Sequence, residues 1–125
     1  MNEKEQKRKL AQLVFECFNT RDFSKVEPFV ATDIVFNFPG AGDILGARKA
    51  LFFMKMLLRK FPVLEFDISE IIVEGEKAVT VWTNKGENNR GEQYSNSGMT
   101  LFHFNDGMIS FISDYFKNTS FTQNM

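Results

Sequence analysis

One cysteine and one histidine in 125 residues leave little room for sulfur or imidazole chemistry. Cys17 alone cannot close an internal disulfide, and Cys17 with His103 falls short of a zinc ligand set, so a disulfide scaffold and a zinc enzyme are both excluded. Charge of either sign is also scarce in excess: 15 Lys and Arg stand against 16 Asp and Glu, a net charge of -1. Such a balance creates no broad field for a nucleic acid or an anionic membrane, so neither is expected as a partner. The longest apolar run, Ala50 to Met54, is far too short to span a bilayer. The amino terminus is charged and carries no apolar segment of the signal type, which gives the expectation of a cytoplasmic protein. There are no internal repeats, low-complexity tracts or interdomain linkers.

What the chain does have is phenylalanine, fifteen residues against one tryptophan and two tyrosines. Phe packs without needing a hydrogen-bond partner, so this excess predicts a smooth apolar interior, either a filled core or a lined cavity. Length and a 43% hydrophobic composition fit one domain over 1–125, with a core over about 6–117 and a tail over 118–125.

Periodicity predicts the elements. Leu10, Leu13, Val14, Cys17 and Phe18 recur at helical spacing inside residues 3–19, and Ser24 to Glu27 with Pro28 predicts a short second helix. Ile34, Phe36 and Phe38 alternate as a strand, ended by Pro39-Gly40-Ala41-Gly42. Gly46 opens a third, strongly apolar helix that runs to Lys60 before Pro62. Beyond Pro62 the period becomes two. Leu64, Phe66 and Ile68 share one register and Ile71 and Val73 the other, which predicts a bulge near Ser69 or Glu70. A turn at Glu74 to Lys77, a strand over 78–83, a long polar connection over 84–98, and strands over 99–104 and 108–116 around Asn105-Asp106-Gly107 complete a four-strand meander. Three helices packed on a curved, mainly antiparallel sheet make an α+β fold.

The order and punctuation of these pieces resemble the nuclear transport factor 2-like superfamily, in its SnoaL-like and ketosteroid-isomerase-like branches. The resemblance lies in Ala31-Thr32-Asp33-Ile34-Val35-Phe36-Asn37-Phe38-Pro39-Gly40, in Gly46, in Gly75-Glu76-Lys77-Ala78-Val79, and in Phe102 to Ile109 running into Asp114-Tyr115-Phe116. It implies a cone-shaped, cystatin-like α+β barrel, open at one end to an apolar pocket and dimeric through the outer sheet face. Isomerases, polyketide-type cyclases, dehydratases and epoxide hydrolases share this fold with proteins that catalyse nothing, so residues must decide. The positions matching the steroid-isomerase base, tyrosine and aspartate are Phe38, Val14 and Thr100, which excludes that mechanism. The epoxide-hydrolase Arg-x-Asp pair is missing from Val81-Trp82-Thr83-Asn84, although Asp114 matches that family's last aspartate.

Asp114 is therefore the candidate catalytic residue. The resemblance puts Ser110, Ile112, Asp114 and Phe116 on the pocket face and Ile109, Phe111, Ser113 and Tyr115 on the outer one. A carboxylate in an apolar pocket is raised in pKa and suits acid or base work, while a rim carboxylate with a basic partner is structural. Both readings are open. Candidate pocket residues are Phe38, Phe53, Met54, Trp82, Asn84, Thr100, Phe102, Ile112 and Phe116. His103 points outward, Cys17 lies on the buried stripe of the first helix, and Tyr94 stands near the pocket mouth. The expected partners are a small apolar organic ligand and a second copy of the chain, with no metal or cofactor. The expected activity is a cofactor-free isomerase, cyclase or dehydratase using a pocket carboxylate, with a non-catalytic binding or dimerisation module as the alternative.

Overall fold

The computed structural model describes residues 2–120. Of the expected tail over 118–125, residues 121–125 lie outside the described part.

Helix α1 (Glu3–Thr20) starts where the Asn2 side chain accepts a hydrogen bond from Glu5 N at 2.8 Å, and ends at Arg21 in the left-handed conformation. Of its predicted stripe, Val14, Cys17 and Phe18 are buried, joined by Ala11 and Phe15, while Leu10 and Leu13 are half-buried at its margin. The expected second helix is only a single 3-10 turn, Glu27–Phe29. Strand β1 (Val30–Phe38) follows at once, so no length is left for an α-helix. β2 (Gly42–Leu45) lies where a plain loop was expected. It pairs back on β1, and Asn37 Nδ2 donates to Asp43 Oδ1 at 2.7 Å across the pair. Helix α2 is Ala47–Lys60. The remaining strands are β3 (Val63–Glu74), β4 (Lys77–Glu87), β5 (Gln93–Asn105) and β6 (Met108–Phe116).

The sheet has the order β2-β1-β6-β5-β4-β3, antiparallel throughout except for the parallel β1–β6 pair. The architecture is therefore α+β with two helices on a mixed sheet. It is not a closed barrel, because β2 and β3 remain edges. The β3 edge is shielded by α1: Asn19 exchanges two hydrogen bonds with the Phe66 backbone, at 2.7 and 3.0 Å, and Arg8 donates to Ile71 O at 2.7 Å. Arg21 donates to the carbonyls of Leu58 and Phe61, which ties the end of α1 to the end of α2.

Two bulges set which residues face inward. The bulge between Ile68 and Glu70 falls where the hydrophobic pattern predicts it, so Ile71 and Val73 continue the inner face. A second, between His103 and Phe104, moves Ile109 from the expected outer face to the interior, where it is fully buried opposite Phe104. Asp106 (φ 52°) and Gly107 (φ 74°) make the two-residue turn before β6. The predicted long connection over 84–98 is mostly strand, because β4 and β5 stay paired as far as Glu87 and Gln93.

Candidate functional site

The inner face of the meander is built in rows. Thr80, Thr100 and Asp114 are directly opposite one another across β4, β5 and β6. The next row is Trp82, Gly98 and Phe116, and beyond it Asn84 stands opposite Asn96. Gly98 marks a close approach of β5 to β6. A Cβ there would lie 2.3 Å from Tyr115 O, so no side chain fits between β5 and β6 at this point of the row that carries the Trp82 and Phe116 rings, 6.3 Å apart.

Over these rows lies a cavity of about 60 Å³, closed on the helix side by residues such as Val14, Phe15, Phe18, Met54 and Leu57. Its walls are mutually packed rings. Phe66 meets Phe15 at 5.3 Å and Trp82 at 5.2 Å, and Phe38 meets Phe116 at 5.4 Å between centroids. Phe61 and Tyr94, 4.5 Å apart, stand between this cavity and an outer polar groove that includes Lys60, Arg90 and Asn118.

The polar part of the wall is ordered by a directional relay. Trp82 Nε1 donates to Thr100 Oγ1 at 2.9 Å, and Thr100 Oγ1 donates to Asp114 Oδ1 at 2.6 Å. An indole N–H only donates, so it occupies an acceptor site of the Thr100 hydroxyl and leaves the hydroxyl proton for the carboxyl. Asp114 thus has Oδ1 engaged, and Oδ2 is the oxygen left for a ligand. Burial raises the Asp114 pKa from 3.8 to about 7, against the smaller lowering by the Thr100 hydrogen bond. The residue keeps some surface, but that surface fronts the cavity. Burial also pushes the Tyr94 phenol upward, opposed by the hydrogen bond that its oxygen accepts from Asn96 Nδ2 at 2.8 Å. Asn84 is 8% exposed and its amide oxygen has no partner, as is true of the Thr80 hydroxyl.

Of the residues picked from sequence, Phe38, Met54, Trp82, Asn84, Thr100, Ile112 and Phe116 line this cavity together with Asp114. Phe53 and Phe102 do not. Phe53 packs behind the wall against Phe36 and Phe38, and Phe102 is fully buried between Phe15 and Phe104 in the solid core. Sequence reasoning missed Phe15, Phe36, Phe61, Leu64, Phe66 and Asn96 as lining residues. The apolar register of β3 was the available signal for Leu64 and Phe66, whereas Asn96 was assigned to a loop. His103 sits on the outer face, its ring 4.7 Å from Phe111. Cys17 is buried and its thiol is shifted up by burial. Among the described residues no group of His, Cys, Asp and Glu could hold a metal ion, and no helix is long and apolar enough to cross a membrane.

The SnoaL-like domain profile matches residues 11–112. No curated protein matches the sequence. Among solved structures, a provisionally assigned SnoaL-like polyketide cyclase from Jannaschia sp. CCS1 superposes with a TM-score of 0.84 at 17% identity, covering 94% of this chain and 89% of that one. TerC, co-crystallised with polyporic acid, gives 0.81 at 17% identity over 93% of this chain and 95% of its own. An LEH-like epoxide hydrolase from M. tuberculosis gives 0.76 at 19% identity, covering 93% and 86%. At these identities the likeness is one of fold.

Proposed function

The chain belongs to the SnoaL-like domain family, and from that premise we propose that it binds a small, largely apolar organic molecule and moves a proton on it through Asp114. The observation that carries this reading is the carboxyl itself, held by Thr100 on one oxygen and brought to about neutral pKa in an apolar cavity. A group poised there exchanges protons in either direction near pH 7. The reaction that fits is abstraction of a C–H proton next to a carbonyl. The proton goes to Asp114 Oδ2 and the C–H electron pair moves into the enolate; return of the proton to another carbon gives an isomer, while attack of the enolate carbon on a second carbonyl of the same molecule, whose oxygen then takes the proton from Asp114, gives a cyclised product. Hydrolysis is a poorer fit, because the Arg-x-Asp partner that would help place a water is replaced by Trp82 and Asn84.

The test is α-hydrogen exchange in D₂O with simple cyclic ketones, followed by NMR. Wild type is expected to accelerate deuterium incorporation, and Asp114→Asn to fall at least 100-fold toward the uncatalysed rate while binding stays within a few-fold. Exchange that survives in Asp114→Asn removes the acid–base role.

A second reading, a binding or dimerisation module without catalysis, is favoured by Val14, Phe38 and Thr100 in place of the polar groups of steroid isomerases. Dimerisation through the outer sheet face suits either reading: Ile72, Met99 and Tyr115 are exposed there, beside half-buried Leu101 and Phe111.

A further inference from the structure

The size, charge and hydrogen-bonding capacity of the cavity narrow its occupant. About 60 Å³ is available to water centres. An apolar cavity of about 150 Å³ accepts benzene, so at this volume a single ring is the largest body the site takes. Enlarging it means parting the Phe38–Phe116 and Phe66–Trp82 ring pairs, and close-packed interiors resist such shifts.

Charge is excluded from both sides. Among the described residues no Lys, Arg or His lines the cavity, so an anionic group would find no counter-ion there and would face the Asp114 carboxyl. A cation would bury an ion pair in aromatic walls where only one carboxylate oxygen is free, an arrangement with a large desolvation penalty. A neutral ligand that offers one hydrogen to Oδ2 meets neither obstacle. The partnerless amide oxygen of Asn84 in the same wall is a second buried polar atom of the kind that a ligand hydroxyl or N–H satisfies.

We infer that the site takes an uncharged molecule built on a single ring and carrying one hydrogen-bonding hydrogen, such as a phenol. This inference rests on the ligand-binding reading above and specifies it.

Trp82 is the only tryptophan, so its indole N–H gives one resonance in a ¹H–¹⁵N spectrum, and that N–H belongs to the relay at the cavity wall. Phenol, 2-naphthol, 9-phenanthrol, benzoate and benzylamine would be titrated against the intact protein at pH 8, reading this resonance. The expected result is a saturable shift with phenol, binding at least tenfold weaker for benzoate and benzylamine, and no saturable shift with 9-phenanthrol. Equal or tighter binding of the three-ring alcohol overturns the size limit, and equal or tighter binding of either ion overturns the charge limit. Both of those outcomes leave the ligand-binding reading standing. Failure of all five probes to move the resonance overturns that reading and this inference with it. Asp114→Asn serves as the site control, with the phenol-induced shift expected to weaken several-fold.

Discussion

Two neighbouring rows of the same sheet face behave in opposite ways. Ala78, Phe102, Ile112 and Phe36 form one row, every member at most 3% exposed and all of it apolar. One step along the strands, Thr80, Thr100 and Asp114 form the next, with an unpartnered hydroxyl at one end and a carboxyl of raised pKa at the other. The first row is what hydrophobic burial alone would select. The second opposes stability, since buried polar groups without full partners cost about 1–3 kcal/mol each. Natural proteins tolerate such losses mainly where they serve a site. The cavity opens over Thr100 and Asp114 of the second row and meets the first only at Phe36 and Ile112, leaving Ala78 and Phe102 closed off.

The comparison breaks most visibly at its apolar member. Phe102→Ala should cost about 3–5 kcal/mol in denaturant unfolding, the usual range for emptying a buried Phe position. It should also leave the titration of Asp114 unmoved, because the Phe102 ring packs on Phe15 and Phe104 and gives the relay no hydrogen bond. A loss below 1 kcal/mol would mean that the apolar row is not the stabilising one.

The polar row is sharpened at Thr100. Thr100→Val strips partners from both Trp82 Nε1 and Asp114 Oδ1, with an expected loss of about 1–3 kcal/mol. Removing a hydrogen bond that favours the ionised carboxyl should also carry the Asp114 pKa above about 7, read by carboxyl ¹³C NMR. Thr100→Ser should restore both quantities. Identical titration curves for the Val and Ser variants would show that the hydroxyl does not act on Asp114.

Much of this was legible in the sequence, and the reasons are particular. The stripe of α1 and the phase change at Ser69 are local periodicities, and local patterning decides which face an amphipathic element buries. Asp114 was singled out because the family resemblance placed a carboxylate on the inward face of the last strand. What stayed hidden depends on pairing between distant strands. Asn96 is polar enough to read as loop, yet it occupies a strand position opposite Asn84 because β4 and β5 remain paired there. The bulge that turns Ile109 inward is set by the register of β5 against β6, which no single strand announces. Pro28 and Ser24 suggested a helix that the immediate start of β1 cuts down to one turn. The partnership of Thr100 with Asp114 likewise follows from register alone, so Thr100 looked like a vacant steroid-isomerase position rather than the hydroxyl that orients the carboxyl.

The most direct measurement is the unfolding free energy of wild type and Asp114→Asn from pH 5 to 9. Between the ordinary carboxyl value of 3.8 and about 7, folded Asp114 holds a proton that the unfolded chain has released. Wild-type stability should therefore fall as pH rises through that window and level off above it, by at most about 4 kcal/mol at 1.36 kcal/mol per unit. Asp114→Asn lacks this dependence, so the account predicts that the variant gains on wild type from pH 5 to 7 and is the more stable of the two by 1 kcal/mol or more at pH 8 to 9, on the scale of that same linkage. A variant less stable than wild type by about 1 kcal/mol or more at every pH, the loss expected for a charge-assisted hydrogen bond, would contradict it and make Asp114 a structural residue.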